Sequence, residues 1–299
     1  MISHGNIYFT SDSFPGCERA EVVGDVPQSL RREVEERFVI GPVVKRDFWS
    51  EERALMDIDR GPCKPQEDYL LNTCCMLRSI PGKTPQDYLK ATANREISWI
   101  SRYAVPKPSR DVFIASKAQN SPSAHIALYN KFLDVVTYLL PSKKELARPT
   151  LWHWGIHASN LFVDGDRISS LIDWQAAWAG PLFLQARHPR LVDYSGEVML
   201  RLPEDYQDLE DHKEKARIRE QVERSIMLYT YENQLARSNS LLNDILRVSH
   251  GRTRRDTVDF AANTWDGDIV PFRQCLIRIA RFVHPPNWII RESANMWGL

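Results

Sequence analysis

Residues 150–175 read TLWHWGIHASNLFVDGDRISSLIDWQ, and this stretch decides the fold of the region around it. Residues 161–163 predict a short strand, the Asp-Gly-Asp that follows is typical of a tight turn, and residues 167–172 predict the returning strand. A hairpin of this size places Asn160, just before its first strand, beside Asp173, just after its second. Because an amide oxygen and a carboxylate are suitable ligands for a hard divalent cation, the pattern predicts a magnesium site at the open end of the hairpin.

Helical segments are predicted on both sides of the hairpin. Thr84 followed by Pro85 predicts the start of one helix, and Ser121 followed by Pro122 predicts the start of another that reaches about Leu140. The apolar face of this second helix is predicted from the spacing of Ile126, Tyr129, Leu133, Val136 and Leu140. Further predicted elements are strands over 7–10 and 37–40, a loop or short helix over 29–36, and helices over about 49–59, 210–234 and 268–282. The helix over 210–234 is expected to pack through Ile218, Val222, Ile226 and Tyr229 and to expose its charges.

The composition of the 299 residues excludes several classes of protein. Lys and Arg number 39, as do Asp and Glu, so the formal net charge is zero and no overall field favours nucleic acid. No apolar run is long enough for a membrane span. The 13 glycines form neither GxGxxG nor GxxxxGK[ST], so any nucleotide phosphates would be held without a glycine-rich loop from this chain.

The cysteines and the first residues predict an intracellular protein. The five cysteines are odd in number and form no CxxC pair, which argues against a disulfide framework and a zinc ribbon. The opening residues resemble neither a secretory signal nor a mitochondrial transit peptide, so the chain by itself predicts the cytoplasm.

One segment nearly repeats itself. KPQEDYL over residues 64–70 returns as KTPQDYL over residues 83–89, and a solenoid would need at least three copies. Residues 64–82 are therefore interpreted as an insertion or partial duplication that packs poorly compared with its flanks.

The spacing of His153, Asn160 and Asp173 resembles the protein-kinase-like pattern HxDxxxxN, which is followed thirteen residues later by Asp. The surrounding sequence is similar to the fungal branch of the aminoglycoside phosphotransferase family that is related to altered inheritance of mitochondria protein 9. The segments that carry this resemblance are 5–8, 38–42, 48–49, 60–62, 151–153, 157, 160, 172–175 and 181–187.

The resemblance implies an α+β, kinase-like fold in which residues 1–299 form a single, mainly helical larger lobe with short β-hairpins. It implies that Asn160 and Asp173 hold the Mg²⁺ of a bound ATP, that His153 shapes the catalytic loop, and that Trp174 replaces the usual Phe after the metal-binding Asp. Two departures stand out. Gly155 occupies the position of the catalytic Asp, whose loss typically costs about 10²–10⁴ in rate. The smaller lobe, with its phosphate-binding lysine, has no counterpart before residue 4.

Other polar and aromatic residues of this region have simpler interpretations. His153 and His157 stand four residues apart, but Trp154 replaces the glutamate of HExxH, which argues against a zinc protease site, and the role of His157 stays open. Asp164 and Asp166 are interpreted as turn residues. Core packing is predicted for Trp174, Trp178 and Phe183, and structural ion pairing rather than phosphate binding for the basic run 187–190.

Three functions are compatible with these features. The first is a kinase-like protein that keeps metal-ligand positions but is catalytically impaired. The second is an active ATP-dependent phosphotransferase for a small-molecule hydroxyl, of which this chain is a fragment. The third is a non-catalytic binding or scaffold module. The family resemblance suggests the mitochondrion, and no nucleic acid or membrane-spanning partner is predicted.

Overall fold

The computed structural model describes residues 5–15, 17–20, 22, 25–42, 49, 51–56, 84–108, 117–175 and 177–283. The predicted insertion at 64–82 and the end of the predicted helix over 49–59 lie outside the described residues. The protein belongs to the α+β class, as predicted, and its strands are short and antiparallel. Within the described ranges, no helix combines the length and the apolar composition needed to cross a membrane.

The chain forms two compact units. Of the described residues, the first unit contains those up to Trp152, residues 177–185 and residues 249–283, and the second contains residues 153–175 and 186–248. The prediction that residues 1–299 make one lobe stays a prediction.

A five-stranded antiparallel sheet lies in the first unit, with strand order β2-β3-β1-β7-β4. Its strands are β1 (Gly5–Phe9), β2 (Glu18–Arg19), β3 (Phe38–Gly41), β4 (Pro149–Trp152) and β7 (Trp178–Pro181). Strands β1 and β3 confirm the predictions over 7–10 and 37–40, and they pair directly, with Ile7 opposite Ile40. Residues 28–37 between them form a helix rather than a loop.

The helices of the first unit are α1 (Gln28–Arg37), α2 (Pro85–Tyr103), α3 (Pro122–Leu139), α4 (Leu182–Gln185), α7 (Gly251–Phe260) and α8 (Ile269–Val283). Thr84 starts α2 with a capping box that it shares with Asp87, and Ser121 caps α3, which confirms both predicted helix starts. The segment predicted as a helix over 49–59 contains a short 3₁₀ helix at Glu51–Ala54.

The buried face of α3 differs from the predicted one. The buried residues are His125, Leu128, Tyr129, Phe132, Val136 and Leu139, whereas Ile126, Leu133 and Leu140 are only half-buried. The face is rotated because Tyr129 and Phe132 both pack against the Phe272 ring of α8, at ring-centroid distances of 5.3 and 5.8 Å. A polar histidine, His125, lies on the buried face, which a pattern of apolar residues alone could not show.

The second unit contains strands β5 (Leu161–Asp164) and β6 (Arg167–Leu171) and helices α5 (His212–Ser238) and α6 (Ser240–Leu246). The helix predicted over 210–234 is confirmed, and its predicted apolar side is confirmed for two of its four residues. Ile218 and Val222 are buried, whereas Ile226 is 44% exposed and Tyr229 is 54% exposed. Ser225 takes the buried position instead, because its hydroxyl accepts a hydrogen bond from the backbone N–H of Met199 at 3.0 Å.

A cluster of buried charges in the first unit was not predicted from the sequence. The Glu96 carboxylate on α2 accepts hydrogen bonds from Arg53 at 2.8 and 3.2 Å and from Arg95 at 2.8 Å. All three side chains are at most 1% exposed. The guanidinium of Arg53 also lies over the Trp99 ring, 4.0 Å from its centroid, and 3.5 Å from the Asp266 carboxylate. We refer to Arg53, Arg95 and Glu96 as the buried charge cluster; Asp266, which contacts Arg53 from outside it, is exposed.

Candidate metal centre

The predicted hairpin forms as expected and sets the geometry of the candidate site. Strands β5 and β6 pair antiparallel from Leu161 opposite Leu171 at the open end to Asp164 opposite Arg167 at the turn. Gly165 in the turn has a φ of 62°, a left-handed conformation that glycine adopts without strain. Beyond the last strand pair, the backbone N–H of Ile172 still donates to the Asn160 carbonyl at 3.0 Å. This bond keeps the two chains together as they leave the hairpin.

Asn160 and Asp173 converge at this open end. Asn160 ends a single 3₁₀ turn (Ala158–Asn160), and its side chain is buried. Its Nδ2 donates to the carbonyl of Gly155 at 2.9 Å and to Oδ2 of Asp173 at 3.4 Å. In the part of the chain that the structure describes, no hydrogen bond reaches the Asn160 Oδ1 atom. The amide oxygen is therefore available as a ligand, although the role of both residues in metal binding stays a prediction.

Asp173 combines exposure with an unusual backbone conformation. The residue is exposed, and its φ of 64° lies in the left-handed region. This conformation costs a residue with a side chain on the order of 1 kcal/mol, although Asp tolerates it better than most. Strained residues of this kind are concentrated at functional sites, so the backbone supports the assignment of Asp173 to the site independently of its side chain.

His153 connects the loop that carries Gly155 to the strand end that carries Asp173. Its Nε2 lies 2.9 Å from the carbonyl oxygen of Ile172, and its Nδ1 lies 3.2 Å from the backbone N–H of Gly155. Since a carbonyl only accepts and a backbone N–H only donates, the imidazole is the neutral form with its proton on Nε2. The buried His153 thus connects two backbone segments, and its role in shaping a catalytic loop stays a prediction.

Trp174 does not belong to the core, contrary to the prediction. It is 48% exposed and packs edge-on against the His153 ring, at a centroid distance of 4.7 Å. Its indole N–H donates to the Leu171 carbonyl at 3.0 Å, which keeps the ring at the hairpin end instead of in the interior. Trp178 and Phe183 are buried, as predicted.

Gly155 brings a backbone carbonyl to the site but no side chain. Its φ lies outside the left-handed region, so the backbone itself would accept other residues. A Cβ atom at this position would lie 3.1 Å from Asn160 Nδ2 and 3.5 Å from His153 Cε1, which is a tight contact. Where the resemblance implies a catalytic carboxylate, this chain has no side chain, and the Gly155 carbonyl accepts a hydrogen bond from the Asn160 amide.

The remaining predicted residues have mainly structural contacts. His157 Nδ1 lies 2.9 Å from the Ser159 hydroxyl. His188, in the basic run 187–190, has its Nε2 3.0 Å from the Glu232 carboxylate, which is a hydrogen bond; ion pairing of the run stays a prediction. Asp164 and Asp166 flank the turn at the closed end of the hairpin, away from Asn160 and Asp173.

The two oxygen ligands that Asn160 and Asp173 offer fit a cation whose other ligands are water or phosphate oxygens. Among the described residues, no cluster of three or more His, Cys, Asp or Glu side chains could hold a metal ion. One carboxylate and one amide oxygen, open to solvent on the Asp173 side, match the preference of Mg²⁺ for few protein ligands completed by water and phosphate oxygens.

Comparison with known proteins gives relatives in fungi. The chain is 29% identical over 279 residues to a subtelomeric hrmA-associated cluster protein of Aspergillus fumigatus, covering 87% of this chain and 53% of that protein. It is 25% identical over 248 residues to altered inheritance of mitochondria protein 9, mitochondrial, of Saccharomyces cerevisiae, covering 80% of this chain and 38% of that protein. The protein of the same name in Zygosaccharomyces rouxii is 25% identical over 299 residues, covering 97% of this chain and 46% of that protein.

The comparisons relate the chain to these fungal proteins at low identity. No family model matches the chain. No solved structure matches it either. The chain spans about half the length of these relatives or less. The predicted relation to altered inheritance of mitochondria protein 9 is confirmed at low identity, and the wider resemblance to aminoglycoside phosphotransferases stays a prediction. The chain is a distant relative of fungal proteins that include altered inheritance of mitochondria protein 9.

Proposed function

We propose that this chain is a kinase-like protein of the phosphotransferase type that binds a divalent cation together with nucleotide phosphates but is catalytically impaired. Asn160 and Asp173 would hold the cation, which would neutralise phosphate charge when bound. The observation that carries the proposal is the convergence of these two side chains at the hairpin end, 3.4 Å apart between Nδ2 and Oδ2. The strained backbone of Asp173 supports it further.

The proposed catalytic impairment follows from the absence of a proton-accepting side chain at residue 155. Phosphoryl transfer to a hydroxyl needs a positioned group that orients the nucleophile and accepts its proton. Gly155 has no such group, and its carbonyl is engaged by the Asn160 amide. The nearby His153 cannot replace it, since both of its ring nitrogens are engaged by backbone groups. Loss of a positioned base lowers a rate by about 10²–10⁴, which favours cation binding without efficient turnover.

The names of the relatives add a proposed location. Several of them are named as mitochondrial proteins, and we extend this location to the present chain as part of the proposal.

Two assays on the same preparation test the proposed function. In the first, Mg²⁺ with ATP should raise the thermal unfolding midpoint of the chain, and Asp173→Asn should remove this increase. Asp166→Asn, a matched change of an exposed carboxylate at the other end of the hairpin, should keep it. In the second, Mg²⁺-dependent release of ADP should not exceed the background. Turnover by the unmodified chain that Asp173→Ala abolishes would contradict the impairment and favour an active phosphotransferase.

A further inference from the structure

Residues 187–191 contact the loop around Gly155 at two points. The guanidinium carbon of Arg187 lies over the Trp154 ring, 4.2 Å from its centroid. The backbone N–H of Leu191 donates to the carbonyl of Ile156 at 3.0 Å. Trp154 and Ile156 are the two neighbours of Gly155, so the residue is held from both sides although it has no side chain of its own.

The segment that makes these contacts is itself attached to a long helix. His188, next to Arg187, lies 3.0 Å from the Glu232 carboxylate, and its ring packs edge-on against Tyr231 at 6.0 Å. Both partners lie on α5, a helix of 27 residues. Arg187 is therefore supported by a rigid element, which suits it to fix the position of a neighbouring loop.

The orientation of the Gly155 peptide matters because the Asn160 amide depends on it. The Gly155 carbonyl accepts from Asn160 Nδ2 at 2.9 Å, and this bond decides where Oδ1 of the same planar amide points. A rotation of the Gly155 peptide would therefore change the direction of the amide oxygen that is proposed as a cation ligand. A planar guanidinium stacked on an indole restricts the ring plane, and with it the backbone that carries the ring.

We propose that Arg187 is a positioning residue of the candidate site: by stacking on Trp154 it fixes the Gly155 peptide, which in turn orients the Asn160 amide. The part that concerns the cation rests on the proposed function. The part that concerns the order of the loop rests only on the contacts among Arg187, Trp154, Gly155 and Asn160.

The test replaces the stacking group and keeps its charge. Arg187→Lys retains the positive charge but lacks the planar guanidinium that lies along the indole, so it is not a conservative change at this position. Arg190→Lys is the matched control, since Arg190 is exposed and three residues away. Amide hydrogen exchange over residues 153–160 reports on the order of the loop, and titration with Mn²⁺, followed by its electron paramagnetic resonance signal, reports on the cation site. Exchange over 213–235 in α5 shows whether the fold is retained.

Arg187→Lys should raise the exchange rate of residues 153–160 about threefold to tenfold and weaken Mn²⁺ binding by a similar factor, with α5 unchanged. Trp154→Phe, with a smaller ring for the guanidinium, should shift both readouts in the same direction by less. Unchanged loop exchange in Arg187→Lys would overturn the inference, as would faster exchange with unchanged Mn²⁺ affinity. If the unmodified chain binds no Mn²⁺, the proposed function fails, and the exchange data alone then decide whether Arg187 orders the loop.

Discussion

The buried charge cluster of the first unit and the Asn160–Asp173 pair of the second unit use similar groups in opposite ways. Around Glu96, two guanidinium groups and one carboxylate are at most 1% exposed, and the carboxylate accepts three hydrogen bonds. At the hairpin end, the Asp173 carboxylate is exposed, receives one long hydrogen bond from Asn160, and sits on a strained backbone.

The difference separates a structural role from a binding role. A fully buried carboxylate between two guanidinium groups has no capacity left for a ligand, and its charge is already compensated. An exposed carboxylate with one weak partner can still coordinate a cation, and the surrounding fold maintains its strain. The two regions should therefore respond differently to substitution: stability should change in the first and ligand binding in the second.

The largest effect is expected for Glu96→Gln. This change removes the one buried negative charge that Arg53 and Arg95 share, so the two buried guanidinium groups lose their common counter-charge. Breaking a buried pair in this way costs about 3–5 kcal/mol, so the free energy of unfolding measured with urea should fall by that amount.

The control for Glu96→Gln is Glu220→Gln, which breaks the exposed pair with Arg224 on α5. An exposed pair of this spacing contributes about 0.3–0.5 kcal/mol, so the control should be nearly neutral. A similar small loss for both variants would remove the contrast between the two regions.

The second prediction concerns Asp173→Gly. Glycine adopts the left-handed backbone without strain, so the free energy of unfolding should stay the same or rise by up to about 1 kcal/mol. Mn²⁺ binding should be lost in the same variant, since its carboxylate ligand is gone. A clear loss of stability, measured by urea unfolding, would mean that Asp173 is a structural residue like Glu96.

The third prediction uses pH to examine another buried group of the first unit. His125 accepts from the Thr264 hydroxyl at 2.7 Å and donates to the Gln119 carbonyl at 3.0 Å, and burial lowers its pKa below the usual 6.5. Since the unfolded chain binds the proton first as the pH falls, His125 should reduce stability below about pH 6.5, by at most about 1.4 kcal/mol per pH unit.

Urea unfolding of the unmodified chain and of His125→Gln between pH 7.5 and 5.5 measures this contribution. The difference in unfolding free energy between the two chains should shrink as the pH falls. A difference that stays constant across this range would show that His125 keeps its ordinary pKa.

The smallest effect is expected for Gly155→Ala. The added Cβ would lie 3.1 Å from Asn160 Nδ2, so the amide must move by a few tenths of an ångström. Mn²⁺ affinity should fall by about twofold to threefold with little change in stability, because the backbone conformation accepts alanine. Tighter binding of Mn²⁺ by Gly155→Ala would show that the amide is not oriented by this contact.

Local sequence signals predicted the parts of the molecule that depend on neighbouring residues. Thr84 with Asp87 three residues later specifies a helix start, and Asp-Gly-Asp between two short apolar strands specifies the hairpin. The convergence of Asn160 and Asp173 followed from the same hairpin geometry, since the positions just outside a strand pair are adjacent.

The buried charge cluster could not be identified in the same way, because charged residues on a helix usually face solvent. One signal was present: Arg95 and Glu96 fall on the same face of α2 as Tyr88 and Trp99. Their partners Arg53 and Asp266 are distant in sequence and are brought in only by the tertiary fold. The prediction that Trp174 packs in the core was wrong because of a local contact, not a distant one. Its indole N–H donates to the Leu171 carbonyl, and this hydrogen bond keeps an apolar ring at the surface.

Titration of the chain with Mn²⁺ tests the central claim most directly. Free Mn²⁺, measured by its electron paramagnetic resonance signal, should decrease in proportion to one site in the unmodified chain and in Asp166→Asn, and the site should be tightened by ATP. Asp173→Asn, which keeps the shape and removes the charge, should weaken binding at least tenfold. Equal binding by Asp173→Asn and the unmodified chain, or no binding by either, would contradict the assignment of the hairpin end as a cation site.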